Sequence, residues 1–163
     1  MSRFSLFLAG LGVAGAVALS AGLGPVLAQG TNATVGGYLG VHPTENIWDG
    51  VYSDEQADKG AILYRTACSN CHGKQLEGVP DEGFPALAAP SFMVEWDGQS
   101  VADLVAHVHV SPHSRREDMD PLTAVALTAF ILNQNNVPSG KALSTDANEQ
   151  AKIAFTQFKP EKK

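Results

Sequence analysis

The chain has only two cysteines in 163 residues. That scarcity argues against a structural zinc site, which needs four ligands and here lacks a second cysteine pair. It also argues against a fold stapled by several disulfides. Basic side chains are few as well: 11 Lys and Arg stand against 17 Asp and Glu, a formal charge of −6. An acidic balance disfavours nucleic acid and anionic lipid and suits a partner with a basic docking patch. No stretch shows the pattern of a convincing strand, and no internal repeat is evident, so the expected fold class is all-α.

Both cysteines fall in one stretch, Cys68-Ser69-Asn70-Cys71-His72. The spacing C-x-x-C followed at once by His is the attachment pattern for c-type haem. Each thiol can add across one vinyl group to form a thioether, and two intervening residues on a short helical turn bring both sulfurs to the same edge of the macrocycle. His72 then supplies a proximal iron ligand. Gly73 follows, where the lack of a side chain would let the backbone pass close by. Three other readings compete. A thioredoxin-like pair wants a βαβ context, a zinc site wants four ligands, and a short-loop disulfide would leave His72 without a role.

Residues 1–28 read as a secretory signal, with Arg3 in the n-region, an apolar run from Phe4 to about Gly24, and Val26-Leu27-Ala28 as a cleavage site. The alternative is an uncleaved anchor. Cleavage after Ala28 removes one basic residue and no acid, leaving ten basic against seventeen acidic side chains, about −7. Export to an oxidising compartment such as a bacterial periplasm suits covalent haem attachment. The remaining 135 residues or so are enough for one modest core, which a buried haem would enlarge. The expected organisation is a signal peptide over 1–28, an extended arm over 29–52, a helical domain over 53–140, and a C-terminal extension with a short helix over 141–163.

Along the arm, Asn32-Ala33-Thr34 matches a glycosylation sequon, read as chance in a bacterial protein, and His42 is expected to be solvated. Ile47, Trp48, Val51 and Tyr52 form an apolar patch expected to cover the core. Ser53 and Gln56 form a capping box that opens a helix running to about Ala67, with Ala57, Ala61, Tyr64 and Cys68 on one face. Gly60 on that helix would let another helix cross closely. Residues from Lys74 to about Gln99, broken by Pro80, Pro85, Pro90 and three glycines, read as a long irregular loop wrapping an apolar group. Trp96 within it suits either core packing or a polar contact through its indole N–H. Ser100 with Asp103 opens a second helix to about Val110, which carries His107 and His109 on different faces. A polar loop with His113, Arg115 and Arg116 follows. Asp120 caps a third helix with Pro121 at its first position, running to about Asn133. A last helix is expected over Ala147–Gln157, with Asp146 and Glu149 as its box.

With these features in place the chain resembles a class I c-type cytochrome, and more narrowly the small mono-haem cytochrome subunits of periplasmic dehydrogenases, quinoprotein enzymes among them. The resemblance runs through Trp48-Asp49-Gly50-Val51-Tyr52, Cys68 to Gly73, Leu76-Glu77-Gly78, Pro85-Ala86-Leu87, Trp96 to Leu104, Ala129 to Leu132, and Asn136 to Gly140. It implies a small helical fold wrapped around one covalent haem c, held by Cys68, Cys71 and His72. It further implies single-electron transfer in the periplasm, with a dehydrogenase as donor and a downstream cytochrome or terminal oxidase as acceptor, and no stable membrane insertion once the signal is removed. The family carries its second iron ligand in a Met-Pro dipeptide, and Ser111-Pro112 occupies that slot here. Met119 is the methionine in the loop before the third helix, where it also suits a hydrophobic staple. His113 and Met93 are the other candidates, and His107 and His109 would have to leave a helix to serve. An open sixth position would instead make the chain a haem protein that binds ligands or does redox catalysis.

Overall fold

The computed structural model describes residues 42–110 and 119–161. The signal segment, the sequon at Asn32, and the stretch holding Ser111, Pro112, His113, Arg115 and Arg116 lie outside them.

The described residues form a small, mostly helical domain of six α-helices with a two-stranded parallel sheet. Local sequence accounts for where most helices begin. Helix α1 spans Asp54–Ala67, with Ser53 accepting from the Gln56 N–H and the Gln56 side chain accepting from the Ser53 N–H, the reciprocal box expected there. It is followed at once by α2, the single turn Ser69–His72, so the Cys-x-x-Cys-His stretch is itself helical. Helix α4 spans Val101–His109 behind the Ser100–Asp103 box, and α5 spans Pro121–Gln134 behind Asp120.

Three features depart from expectation. Residues Pro90–Trp96, inside the stretch read as irregular, form helix α3 with Pro90 in its first turn. A proline there loses nothing, because that N–H has no partner in a helix. Ala89 supplies no side-chain cap, so no local signal marks the start. Second, the last helix ends early: α6 covers only Ala147–Gln150, and Asp146 accepts from the Asn148 N–H instead of boxing with Glu149. Third, the all-α expectation is corrected by strands β1 (Glu45–Asn46) and β2 (Ile153–Ala154), which pair in parallel. Residues after α6 stay extended because their backbone is claimed from both sides. The Phe155 N–H donates to the Gln99 carbonyl at 2.8 Å and its carbonyl accepts from the Gly98 N–H at 3.0 Å, while Thr156 meets Asn46 and Trp48 of the arm. Two-residue strands specified by long-range partners leave no periodic pattern to read.

The core gathers on α5, whose residues Ala124–Ala129, Ile131 and Leu132 are all buried. A helix apolar on nearly every side belongs inside, and α5 packs against both α1 and α4. Gly60 allows the first of these contacts: a Cβ there would lie 2.0 Å from the Ala126 carbonyl oxygen. Ile47, Val51 and Tyr52 of the arm are buried as expected, and Leu143, Ile153 and Phe155 join them from the C-terminal side. The Tyr52 hydroxyl donates to the Val137 carbonyl at 2.5 Å. The Gln56 side chain bonds both the N–H and the carbonyl of Leu143 at 2.8 Å, which ties the chain after α5 back to the start of α1.

Candidate functional site

Helix α2 is placed by its neighbours on both sides. Tyr64, fully buried on α1, donates its hydroxyl to the Gly73 carbonyl at 2.7 Å and rests its ring against Phe130 of α5. Burial raises the Tyr64 pKa, and the nearby Cys68 and Glu77 add to the rise, so the hydroxyl stays a donor. Gly73 turns the chain with φ +79°, and a Cβ there would meet the Glu77 carboxylate at 2.3 Å. That carboxylate accepts from the Gln75 N–H at 2.7 Å, and hydrogen bonds to backbone N–H groups lower its pKa.

The chain then loops out and returns. The Gly78 N–H donates to the His72 carbonyl, and Val79 and Phe84 bridge each other. The Leu76 carbonyl accepts from the N–H groups of Leu87 and Ala88. Leu76 is 1% exposed and adopts φ +62°, an unfavourable conformation for a branched side chain that the closure of this loop holds in place. Asn135, at the end of α5, clamps the far side. Its amide donates to the carbonyls of Leu87 and Ile131 and its oxygen accepts from the Ala89 N–H.

The loop closure delivers the Pro85 carbonyl to His72 Nδ1 at 2.9 Å. A carbonyl can only accept, so Nδ1 carries the proton and the basic lone pair of the imidazole is on Nε2. Carbonyl partners of this kind commonly fix a metal-ligating histidine in one tautomer and orientation. The Phe84 ring meets the His72 ring edge-on at 6.2 Å.

Cys68, Cys71 and His72 line one cavity of about 500 Å³, within the range of pockets that hold small molecules and cofactors. Pro85, Ala86 and Leu87 continue its wall, and Thr123, Leu127 and Ile131 of α5 close another side. Trp96, Leu104, His107 and Val108 form the part contributed by α3 and α4, with Glu95 beside them. Both cysteines are partly exposed, and no disulfide joins Cys68 to Cys71. Among the described residues no cluster of three or more His, Cys, Asp or Glu is placed to hold a bare metal ion.

The candidates for a second iron ligand separate on this geometry. Met119, half-buried at the entry to α5, lines the same cavity as His72. Met93 is buried in the core and does not line it. His109 is absent from the wall, whereas His107 reaches it from its place on α4, one turn beyond Leu104, without leaving the helix. That placement was legible in the spacing of Leu104, His107 and Val108. Trp96 is 6% exposed and both packs in the core and faces the cavity. Pro85, Asn135 and Tyr64 do not stand out as site residues in the sequence, because Pro85 acts through its backbone carbonyl and the Asn135 and Tyr64 side chains act on backbone groups elsewhere in the chain.

No protein-family model, no curated protein and no solved structure matches this chain.

Proposed function

We propose that the chain is an exported mono-haem c-type cytochrome that passes single electrons, as the acceptor or the cytochrome subunit of a periplasmic dehydrogenase. One observation carries this reading: Cys68, Cys71 and His72 stand on one helical turn and line a single, largely apolar cavity together with Met119. The residues suit the group. The thiols would hold it by two thioether bonds, His72 by Nε2 and Met119 by its sulfur. Leu87, Phe92, Leu104, Leu127 and Ile131 offer the apolar surface a macrocycle needs. When bound, haem iron supplies a one-electron couple whose potential depends on its axial ligands and its burial.

The chain's own residues would act on that couple in three ways. The Pro85 carbonyl raises the basicity of His72 by holding its Nδ1–H. A thioether from Met119 would raise the potential and block small ligands. The apolar residues of the wall would lower the dielectric beside the group.

Optical spectra test the reading. The ferric protein should show a methionine–iron charge-transfer band that disappears in Met119→Ala, and carbon monoxide should bind the reduced variant more readily than the reduced native protein. Ready carbon monoxide binding by the native protein would instead support an open sixth position and a role in ligand binding or catalysis.

A further inference from the structure

Asn135 caps α5 and is 8% exposed, yet it lines no part of the cavity. Burying an amide costs free energy unless its polar atoms find partners. This one finds them in two places. Its Nδ2 donates to the Ile131 carbonyl at 2.8 Å, which completes the end of its own helix. The same nitrogen donates to the Leu87 carbonyl at 2.9 Å, and Oδ1 accepts from the Ala89 N–H at 3.2 Å. These two bonds leave the helix and hold residues 85–89, a segment in neither helix nor strand.

That segment needs holding. Ala89 has φ +129°, a backbone conformation that a side chain disfavours, and it is the Ala89 N–H that Asn135 accepts. On the opposite flank the Leu76 carbonyl accepts from Leu87 and Ala88, and Leu76 itself has φ +62°. Pro85 stands two residues before Leu87 and supplies the carbonyl that accepts from His72 Nδ1. Peptide planes are rigid, so the direction of that carbonyl follows from where the neighbouring residues are fixed.

We propose that Asn135 is a positioning residue for His72: by fixing Leu87 and Ala89 it aims the Pro85 carbonyl, and so sets the orientation and basicity of the imidazole. This rests on the haem reading given above. The clamp acts through backbone alone. Loosening it weakens the bond to Nδ1 and makes Nε2 a poorer electron donor to iron, which favours the ferrous state and raises the potential. A change that merely admitted water would do the reverse, because solvent favours the more highly charged ferric state.

The test compares the haem-loaded native protein with Asn135→Ala and Asn135→Ser. Serine can still bond the Ile131 carbonyl one turn back but is too short to hold residues 87 and 89. In the ferrous proteins, NMR follows solvent exchange of the His72 Nδ1 proton beside that of the Gly78 N–H, which donates to the His72 carbonyl at 2.8 Å. The variants should exchange the Nδ1 proton several-fold faster while the Gly78 N–H keeps its native rate. Spectroelectrochemistry should place their potentials above the native value. One variant that loads haem is enough to decide. Unchanged Nδ1 exchange, parallel acceleration at Gly78, or a potential at or below the native one overturns the proposal and leaves the haem reading intact. Native protein that loads haem while neither variant does also overturns it, because Asn135 then serves folding and not the ligand. A native chain that takes up no covalent haem in a host that matures c-type cytochromes overturns both.

Discussion

Pro85 and Tyr64 share the work of presenting His72, one from each side of the helical turn. The Tyr64 hydroxyl fixes the backbone just after His72, and the Pro85 carbonyl fixes its ring. Tyr64→Phe keeps the ring contact with Phe130 and removes only the bond to the Gly73 carbonyl. We expect it to lower unfolding free energy by about 1 kcal/mol in urea titrations, the usual worth of one such bond. Because burial holds the native hydroxyl protonated, the difference between native and variant should not change across neutral pH. At the same scale, Gln56→Ala should cost more than Ser53→Ala. Ser53 contributes one cap, worth about 1 kcal/mol, whereas Gln56 shares that cap and also holds both backbone groups of Leu143.

The helices bring these residues together, and the contact between α1 and α5 is the tightest among them. Gly60→Ala would push a methyl into the Ala126 carbonyl, so the two helices must separate. We expect a loss of about 3 kcal/mol, the upper end for overpacking, read from denaturant midpoints. The start of α5 should respond to acid. Hydrogen bonds from the Thr123 side chain and N–H hold the Asp120 carboxyl below the usual carboxylate range. A lowered folded-state pKa means the cap's contribution is present above the ordinary aspartate value and is lost as pH falls through the lowered one. The stability gap between native protein and Asp120→Ala should therefore be widest near neutral pH and close below about pH 4. A gap that persists in acid would show that the charge is not what caps α5.

Elements with a local signal were legible in the sequence. Ser53 and Ser100 mark helix starts through partners three residues away and Asp120 through the proline that follows it, and the structure begins α1, α4 and α5 there. Helix α3 was missed because Ala89 offers no cap and three prolines mask the segment. Strand β2 stands where the sequence predicts helix because its partners, Glu45 and Asn46, lie far off in sequence. The site divides the same way. Cys68, Cys71 and His72 declare themselves by spacing, and Met119 stands on the wall of the cavity they line. The Pro85 carbonyl and the Asn135 clamp exist only once a loop of more than ten residues has closed.

Taken whole, the molecule is acidic, at −6 for the full sequence. If a basic partner docks over the cavity mouth, charge steers the encounter, and the second-order rate of electron transfer should fall as ionic strength rises. Rates independent of salt would point to an apolar encounter. Among the described residues no helix is long and apolar enough to cross a membrane.

The proposed function requires that Cys68 and Cys71 hold a haem covalently. Intact mass spectrometry of the protein from a host that matures c-type cytochromes tests it most directly, paired with acid–acetone extraction. A chain heavier than its polypeptide by one haem, which stays red after extraction and loses that mass when Cys68 and Cys71 are both changed to Ala, is the predicted result. A polypeptide at its bare mass, or two hydrogens lighter from a Cys68–Cys71 disulfide, would contradict it.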